Sequence, residues 1–292
     1  LIKSPFPFPI RIHLLTWVLF ATAVVTGQFA QLVTLFLIVF VHELGHVLAA
    51  YRYRWSITEL TILPFGGVVK MNPPGRENGW EEFWIALAGP ISNGVMVLFA
   101  LLLYGFHLIT WDYAHFFMIG NLSIAFFNLL PIYPLDGGRV LQVLLSFWLP
   151  FKKAILLSLY LGVILILLLF LLSFWRISLG PELWLILPYL LMMIFVERRR
   201  VPYRLFSFLF SRYAAKKRPL LPTRYLHVRS GEPLKNGTEK MYRHRYHLFK
   251  VRETSGQKKV IYYPEQRILY EMFERKRPLI TFAEIEKDVH LQ

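Results

Sequence analysis

The sequence contains no cysteine in its 292 residues. That excludes disulfides and thiolate ligands, so any bound metal must rest on His, Asp or Glu. Acidic residues are also scarce, 18 against 33 Lys and Arg. The shortage is uneven. Up to Val196 the chain has 10 basic and 8 acidic residues; from Glu197 onward it has 23 and 10. A basic tail can serve nucleic acid, but next to a membrane it more often marks a cytoplasmic face near anionic lipid. No direct nucleic-acid partner is expected. What the chain has in abundance is apolar sequence: 55% of its residues, with a mean hydropathy of +0.45. Several apolar runs are long enough to cross a bilayer.

The expected fold class is therefore a polytopic α-helical membrane protein with a soluble tail. Six spans are read: Ile10 to Gly27, 29 to 50, Trp84 to Ile109, His115 to Tyr133, Ala154 to Trp175, and Leu179 to Val196. Lys3 and Arg11 precede the first without an evident small-residue cleavage site, so it reads as a retained span. With the N-terminus in the cytoplasm, the inner loops carry Arg52, Arg54, Lys70, Arg76, Arg139, Lys152 and Lys153. The outer loops carry only Arg176. By the positive-inside rule both termini are cytoplasmic.

One stretch of the second span carries chemistry. His42-Glu43-Leu44-Gly45-His46 places two imidazoles four residues apart, on one face of a helix, where both can hold one metal ion. Glu43 can then reach a water activated there. This is the zincin pattern, and its chemistry is zinc-assisted attack of water on an amide. The bland alternative is a pair of satisfied polar residues packed against neighbouring helices. Ionisable residues inside a span are costly and mark functional sites by default. At ~1.5 Å per residue, Arg52 lies roughly 9 Å beyond His46 along the axis, so the site is expected near the cytoplasmic side.

Ser56 to Leu63 alternates like a strand, Pro64-Phe65-Gly66-Gly67 punctuates it, and Val68-Val69-Lys70 resumes, which reads as a β-hairpin. It is either a connector or an edge that receives a substrate strand. Pro73-Pro74-Gly75 is a loop. Small residues in the third span permit close packing, and Asn93 would point into the bundle near the metal helix. Asn121 and Asn128 share a face of the fourth span. Then Pro131, Pro134, Asp136, Gly137 and Gly138 end the helix and let the chain turn. Asp136 reads either as a surface helix cap or as the third metal ligand. The lack of a third ligand in the histidine motif favours the ligand.

The tail divides in two. Residues 199–221 interleave Leu205, Phe206, Leu209 and Tyr213 with Arg204, Arg212, Lys216, Lys217 and Arg218, which suits an amphipathic helix on the inner surface. Residues 222–292 read as a small module: a strand at Arg224 to Arg229, a helix near Leu234 to Arg243, strands at His247 to Arg252 and Lys259 to Tyr263, and a helix at Gln266 to Glu274. About 70 residues make a marginal core, so docking or self-association into a homo-oligomer is expected. The transmembrane region is then 1–198. The remaining histidines (His13, His107, His115, His227, His244, His247 and His290) read as interfacial or surface residues.

The histidine motif in one span and Asn128-x-x-Pro131-x-x-Pro134-Leu135-Asp136-Gly137 after another together resemble the site-2 protease family of intramembrane zinc proteases. Ala88-Gly89-Pro90 and Pro64-Phe65-Gly66-Gly67 match further elements of that family. The resemblance covers residues 10 to 200. It implies that His42, His46 and Asp136 bind Zn2+, that Glu43 is the general base, and that Asn128 holds the substrate backbone. The six-span layout, the lack of a PDZ insertion and the C-terminal module resemble the sporulation members of the family. That implies a sigma-factor precursor (pro-sigma-K) as substrate, inhibitory membrane protein partners, and the mother-cell membrane around the forespore as location. The tail is similar to a CBS module in element order, which implies either ATP binding or docking of the soluble substrate. Two other classes stay open. One is a metal transporter, against which the Glu after the first His and the lack of internal repeats both argue. The other is a non-proteolytic scaffold, against which the intact ligands and base argue. Among proteases, cleavage of a transmembrane anti-sigma factor is the alternative.

Overall fold

The structure is a computed structural model that describes residues 9–12, 14–63, 66–72, 78–174, 183–215, 221–252 and 260–289. Pro64, Phe65, the Pro73-Pro74-Gly75 loop, Trp175, Arg176, the start of the expected sixth span, Lys216 to Arg218, Lys259, His13 and His290 lie outside the described residues. The chain forms two compact units, residues 1–74 with 80–140 and residues 75–79 with 141–292.

The first unit opens with a short strand, β1 (Ile10–Ile12), and a helix, α1 (Leu14–Val25). This corrects the expected span from Ile10 to Gly27. Its first three residues pair in a sheet, and the 12 helical residues that follow reach only about 18 Å, short of a hydrocarbon core of about 30 Å. Gly27 ends the segment at φ +74°, a left-handed value that suits glycine. Helix α2 (Phe29–Arg52) then runs 24 residues, about 36 Å, with Ile38, Val47 and Ala50 buried. Arg54, at φ 61°, reverses the chain into the sheet.

Strands β2 (Ser56–Leu63) and β3 (Gly66–Asn72) form the expected hairpin, antiparallel with Leu60 opposite Val69. The sequence reading lacked β1, which pairs parallel to β2 with Ile10 opposite Leu60. The sheet order is β1-β2-β3, so β3 is an edge strand. The unit continues with α3 (Gly79–Gly105), α4 (Trp111–Leu129) and the first turn of α5 (Asp136–Trp148). Helices α2 and α3 cross closely because their contact residues are small. A Cβ at Gly45 would lie 2.6 Å from the Ala88 carbonyl oxygen, and Ser92 Oγ donates to the Val41 carbonyl at 3.3 Å.

The second unit holds the rest of α5, then α6 (Phe151–Phe174) and α7 (Leu183–Ala214). Helix α7 runs unbroken through Arg198-Arg199-Arg200 to Ala214, so the end of the expected sixth span and the amphipathic segment are one helix. Its interior prolines, Pro188 and Pro202, are accommodated within it. The module that follows is β4 (Thr223–Arg229), α8 (Leu234–Thr238), β5 (Tyr246–Arg252), β6 (Val260–Pro264), α9 (Glu265–Phe273) and α10 (Phe282–Val289). Strand β4 is parallel to β5, and β6 is antiparallel to it. The core of this module is Leu226, Val228, Phe249, Val251, Ile268, Leu269 and Phe282, all buried. Helix α8 is five residues, shorter than expected, and α10 was not foreseen.

Three helices among the described residues are long and apolar enough to cross a membrane: 29–52, 79–105 and 151–173. The chain is a membrane protein, largely helical, with a small sheet in its first unit.

Candidate metal centre

Helix α2 does what the four-residue spacing requires. His42 and His46 lie on its buried face, 2% and 6% exposed, with ring centroids 4.9 Å apart. Their Nε2 atoms stand 3.2 Å from one another. Asp136, first residue of α5, brings its Oδ2 to 3.2 Å from each of those nitrogens. Asp136 is thus not a cap at the surface, since its side chain is only 13% exposed. It sits in the first turn of a helix, where the dipole favours a carboxylate, and it faces both histidines. These three form the one group of metal-ligating type found among the described residues.

The hydrogen bonds around the group decide what it is suited to hold. His46 Nδ1 lies 2.7 Å from the Ile85 carbonyl, which can only accept, so Nδ1 carries the proton. His42 Nδ1 lies 2.6 Å from Asn93 Oδ1. The Asn93 amide donates to the Asn121 backbone and side-chain oxygens at 3.2 and 3.3 Å, so its Oδ1 is the acceptor facing the imidazole. Both histidines are thus Nδ1–H tautomers. Two Nε2 lone pairs and a carboxylate converge on one point, which is the donor set a divalent cation needs. Nitrogen and oxygen donors without thiolate suit Zn2+, in keeping with the absence of cysteine.

Glycines shape the cradle. A Cβ at Gly89 would press on His46 Nε2 and come within 2.7 Å of His42 Cε1. Only the lack of a side chain leaves room in front of the imidazoles. Gly137 and Gly138 act differently from the expected turn. Neither has a positive φ; a Cβ at Gly138 would lie 2.6 Å from the Ile132 carbonyl carbon and Tyr133 nitrogen, and one at Gly137 would strike the Leu129 carbonyl. They let the first turn of α5 settle on the backbone that follows α4, and that fixes Asp136.

Glu43 is also buried, 7% exposed, in the same helix turn as His42. A lipid-facing carboxylate at a span's centre would cost about 2.5–3.5 kcal/mol, so its burial beside the histidines is what a span can tolerate. Asn128 stands in the last turns of α4, and its amide donates to the Ile124 carbonyl of its own helix at 3.0 Å. The structure gives it no bond to the His–His–Asp group. Two partners of the site were missed in the sequence. Asn121 was read only as sharing a face with Asn128, and the Ile85 carbonyl is a backbone group without a sequence signal. His247 was also misread. It is fully buried, its Nδ1 2.8 Å from Glu265, and its Nε2 accepts from the Tyr242 N–H at 3.0 Å. His244 stacks on Phe147 at 4.3 Å.

Comparison with known proteins gives this geometry a context. The sequence profile of peptidase family M50 matches residues 30–111 and 106–170. Stage IV sporulation protein FB of Bacillus subtilis is 34% identical over 276 residues, 94% of this chain and 95% of that protein. The chain belongs to peptidase family M50. Zinc metalloprotease MJ0392 of Methanocaldococcus jannaschii is 30% identical over 149 residues, 47% of this chain and 43% of that protein. A solved structure, the site-2 protease from the same archaeon, shares 28% identity at a TM-score of 0.51. The match covers 64% of this chain and 89% of that one. As an M50 peptidase the chain is a membrane metalloprotease, and its His–His–Asp group fits the zinc that family members carry in their names.

Proposed function

We propose that His42, His46 and Asp136 hold the zinc, that Glu43 is the general base, and that the enzyme removes the pro-sequence of a sporulation sigma-factor precursor of the pro-sigma-K type. The observation that carries the site is the convergence of two Nε2 lone pairs on the Asp136 carboxylate, with both Nδ1 protons already engaged. Near-complete alignment with a sporulation protein supports the substrate class.

The chain's own residues supply positioning and proton transfer. Zinc bound there would supply Lewis acidity, lowering the pKa of a water and polarising a carbonyl oxygen. Glu43 takes the proton from the attacking water and returns it to the leaving amine. A helical substrate hides its amides, so the cleaved segment must be extended. The edge of β3, which has no further strand beside it among the described residues, offers main-chain groups to receive it as an added strand. Asn128 then holds the substrate backbone from α4.

The surrounding topology follows from the charges. Arg52, Arg54, Arg139, Lys152, Lys153 and the basic tail face the cytoplasm, which puts both termini inside and opens the site to a cytoplasmic precursor. By the same resemblance the membrane is that of the mother cell around the forespore, and inhibitory membrane proteins are partners. The β4-α8-β5-β6-α9 order supports a CBS-like role for the tail, as a docking module for the precursor or an ATP sensor, and self-association of so small a module fits its size.

The substrate assignment is tested by co-expressing the chain with a pro-sigma-K-type precursor and, separately, with a transmembrane anti-sigma factor. Each is scored by mobility shift. Cleavage of the precursor alone supports the proposal. Cleavage of the anti-sigma factor alone would replace it.

A further inference from the structure

The histidines of the centre are held by unlike partners. His46 is oriented by a backbone carbonyl, which helix geometry supplies without any particular side chain. His42 is oriented by a side chain, and that side chain is held in turn. Asn93 is completely buried in α3, and Asn121 is completely buried in α4. Asn121's own amide donates to the Phe117 carbonyl at 2.9 Å, which leaves its Oδ1 turned to Asn93 Nδ2. Asn121 therefore fixes which way the Asn93 amide points, and the Asn93 amide fixes the tautomer of His42. Three helices meet in a chain of neutral hydrogen bonds that ends at a metal-facing lone pair.

We infer that Asn93 is a positioning residue for the metal centre, set by Asn121, which holds His42 as the neutral Nδ1–H tautomer and aims its Nε2 at the ion. This rests on the reading of His42 as a zinc ligand. The chemistry of the choice matters. Metal-bound histidines commonly give their second N–H to a carboxylate, a carbonyl or a water. A neutral amide in that place orients the ring without adding negative charge to a set that already contains Asp136. Burial makes the bond costly to lose. Removing the acceptor strands the His42 N–H in an apolar bundle, where no water replaces it.

The test uses the full-length chain in detergent, with zinc affinity read by competition against a chelator. Replacing zinc with Co2+ adds a d–d absorption spectrum that reports ligand geometry. Neither readout depends on cleavage. Asn93→Leu removes the acceptor at similar volume, and we expect zinc affinity to fall about 10- to 100-fold with a changed Co2+ spectrum. Asn93→Asp keeps an acceptor for the His42 N–H but sets its second oxygen against the two Asn121 oxygens, so affinity should fall less than in Asn93→Leu. Asn121→Ala removes the side-chain acceptor of the Asn93 amide at 3.3 Å and leaves the backbone one at 3.2 Å, so a smaller loss than in Asn93→Leu, about two- to five-fold, is expected. If Asn93→Leu does not fold, Asn93→Asp and Asn121→Ala carry the comparison. Wild-type affinity and spectrum in both Asn93→Leu and Asn121→Ala would overturn the inference while leaving the zinc site standing. A wild-type chain that binds no zinc would instead remove the metal reading on which it rests.

Discussion

At the residue scale, the centre depends on what is absent as much as on what is present. Gly89→Ala adds one methyl group against His46 Nε2, in the space the ion must occupy. Zinc content measured by atomic absorption should fall to near zero, because the added methyl presses on both imidazoles. His46→Ala and Asp136→Asn should weaken zinc binding through loss of a ligand. The His42, His46 and Asp136 group was legible in the sequence because metal-binding chemistry restricts such groups to few residue types at a fixed helical spacing. The Ile85 carbonyl was not, because every residue carries one. His247 was misread because Glu265, its carboxylate, lies 18 residues away and meets it only when β5 and α9 pack.

At the element scale, the first turn of α5 is the part of the site most sensitive to backbone shifts. A Cβ at Gly138 would meet the backbone of Ile132 and Tyr133, which cannot yield as a flexible side chain would. Gly138→Ala should therefore push α5 outward and carry Asp136 from the histidines. We expect zinc affinity to fall at least ten-fold although residue 138 is not a ligand; equal affinity would show that α5 can shift freely. Long elements were the easiest to read. The long apolar runs place α2 and α6 to within about three residues and α3 to within about five. The strand β1 was missed because Ile10-Arg11-Ile12 merges with the apolar run of α1, and only pairing with β2 separates them. Helix α7 was divided in the sequence because its composition changes at Glu197 while its backbone does not.

At the scale of the whole molecule, the second unit fastens its helices to its C-terminal module through a buried polar junction. Arg212, at the end of α7, donates to the Tyr242 and Arg245 carbonyls at 3.0 and 2.7 Å and stands 3.7 Å from Glu265. Lys152 pairs with Glu239 at 2.7 Å nearby in the same unit. Removing one partner of such a buried pair costs about 3 kcal/mol or more, so Arg212→Ala should lower the thermal midpoint of the unit by several degrees. His247 adds a pH dependence. Burial pushes its imidazole below the ordinary value of 6.5; the Glu265 bond opposes this, and the Arg212 and Arg224 charges add to the depression. A depressed histidine is neutral when folded, so its stabilisation is full above pH 6.5 and is lost as the pH falls toward the folded value. Thermal melts from about pH 7.5 down to about 5 should show falling stability in the wild type, and a flatter profile in His247→Gln if this group is the cause.

The central claim is that a buried His–His–Asp group with an adjacent glutamate makes this membrane protein a protease. It is tested most directly by Glu43→Gln, purified beside the wild type and measured for both zinc content and precursor cleavage. General bases contribute about 10²- to 10⁴-fold, so the variant should keep its zinc and lose cleavage by at least two orders of magnitude. A Glu43→Gln chain that keeps its zinc and still cleaves at the wild-type rate would contradict the account.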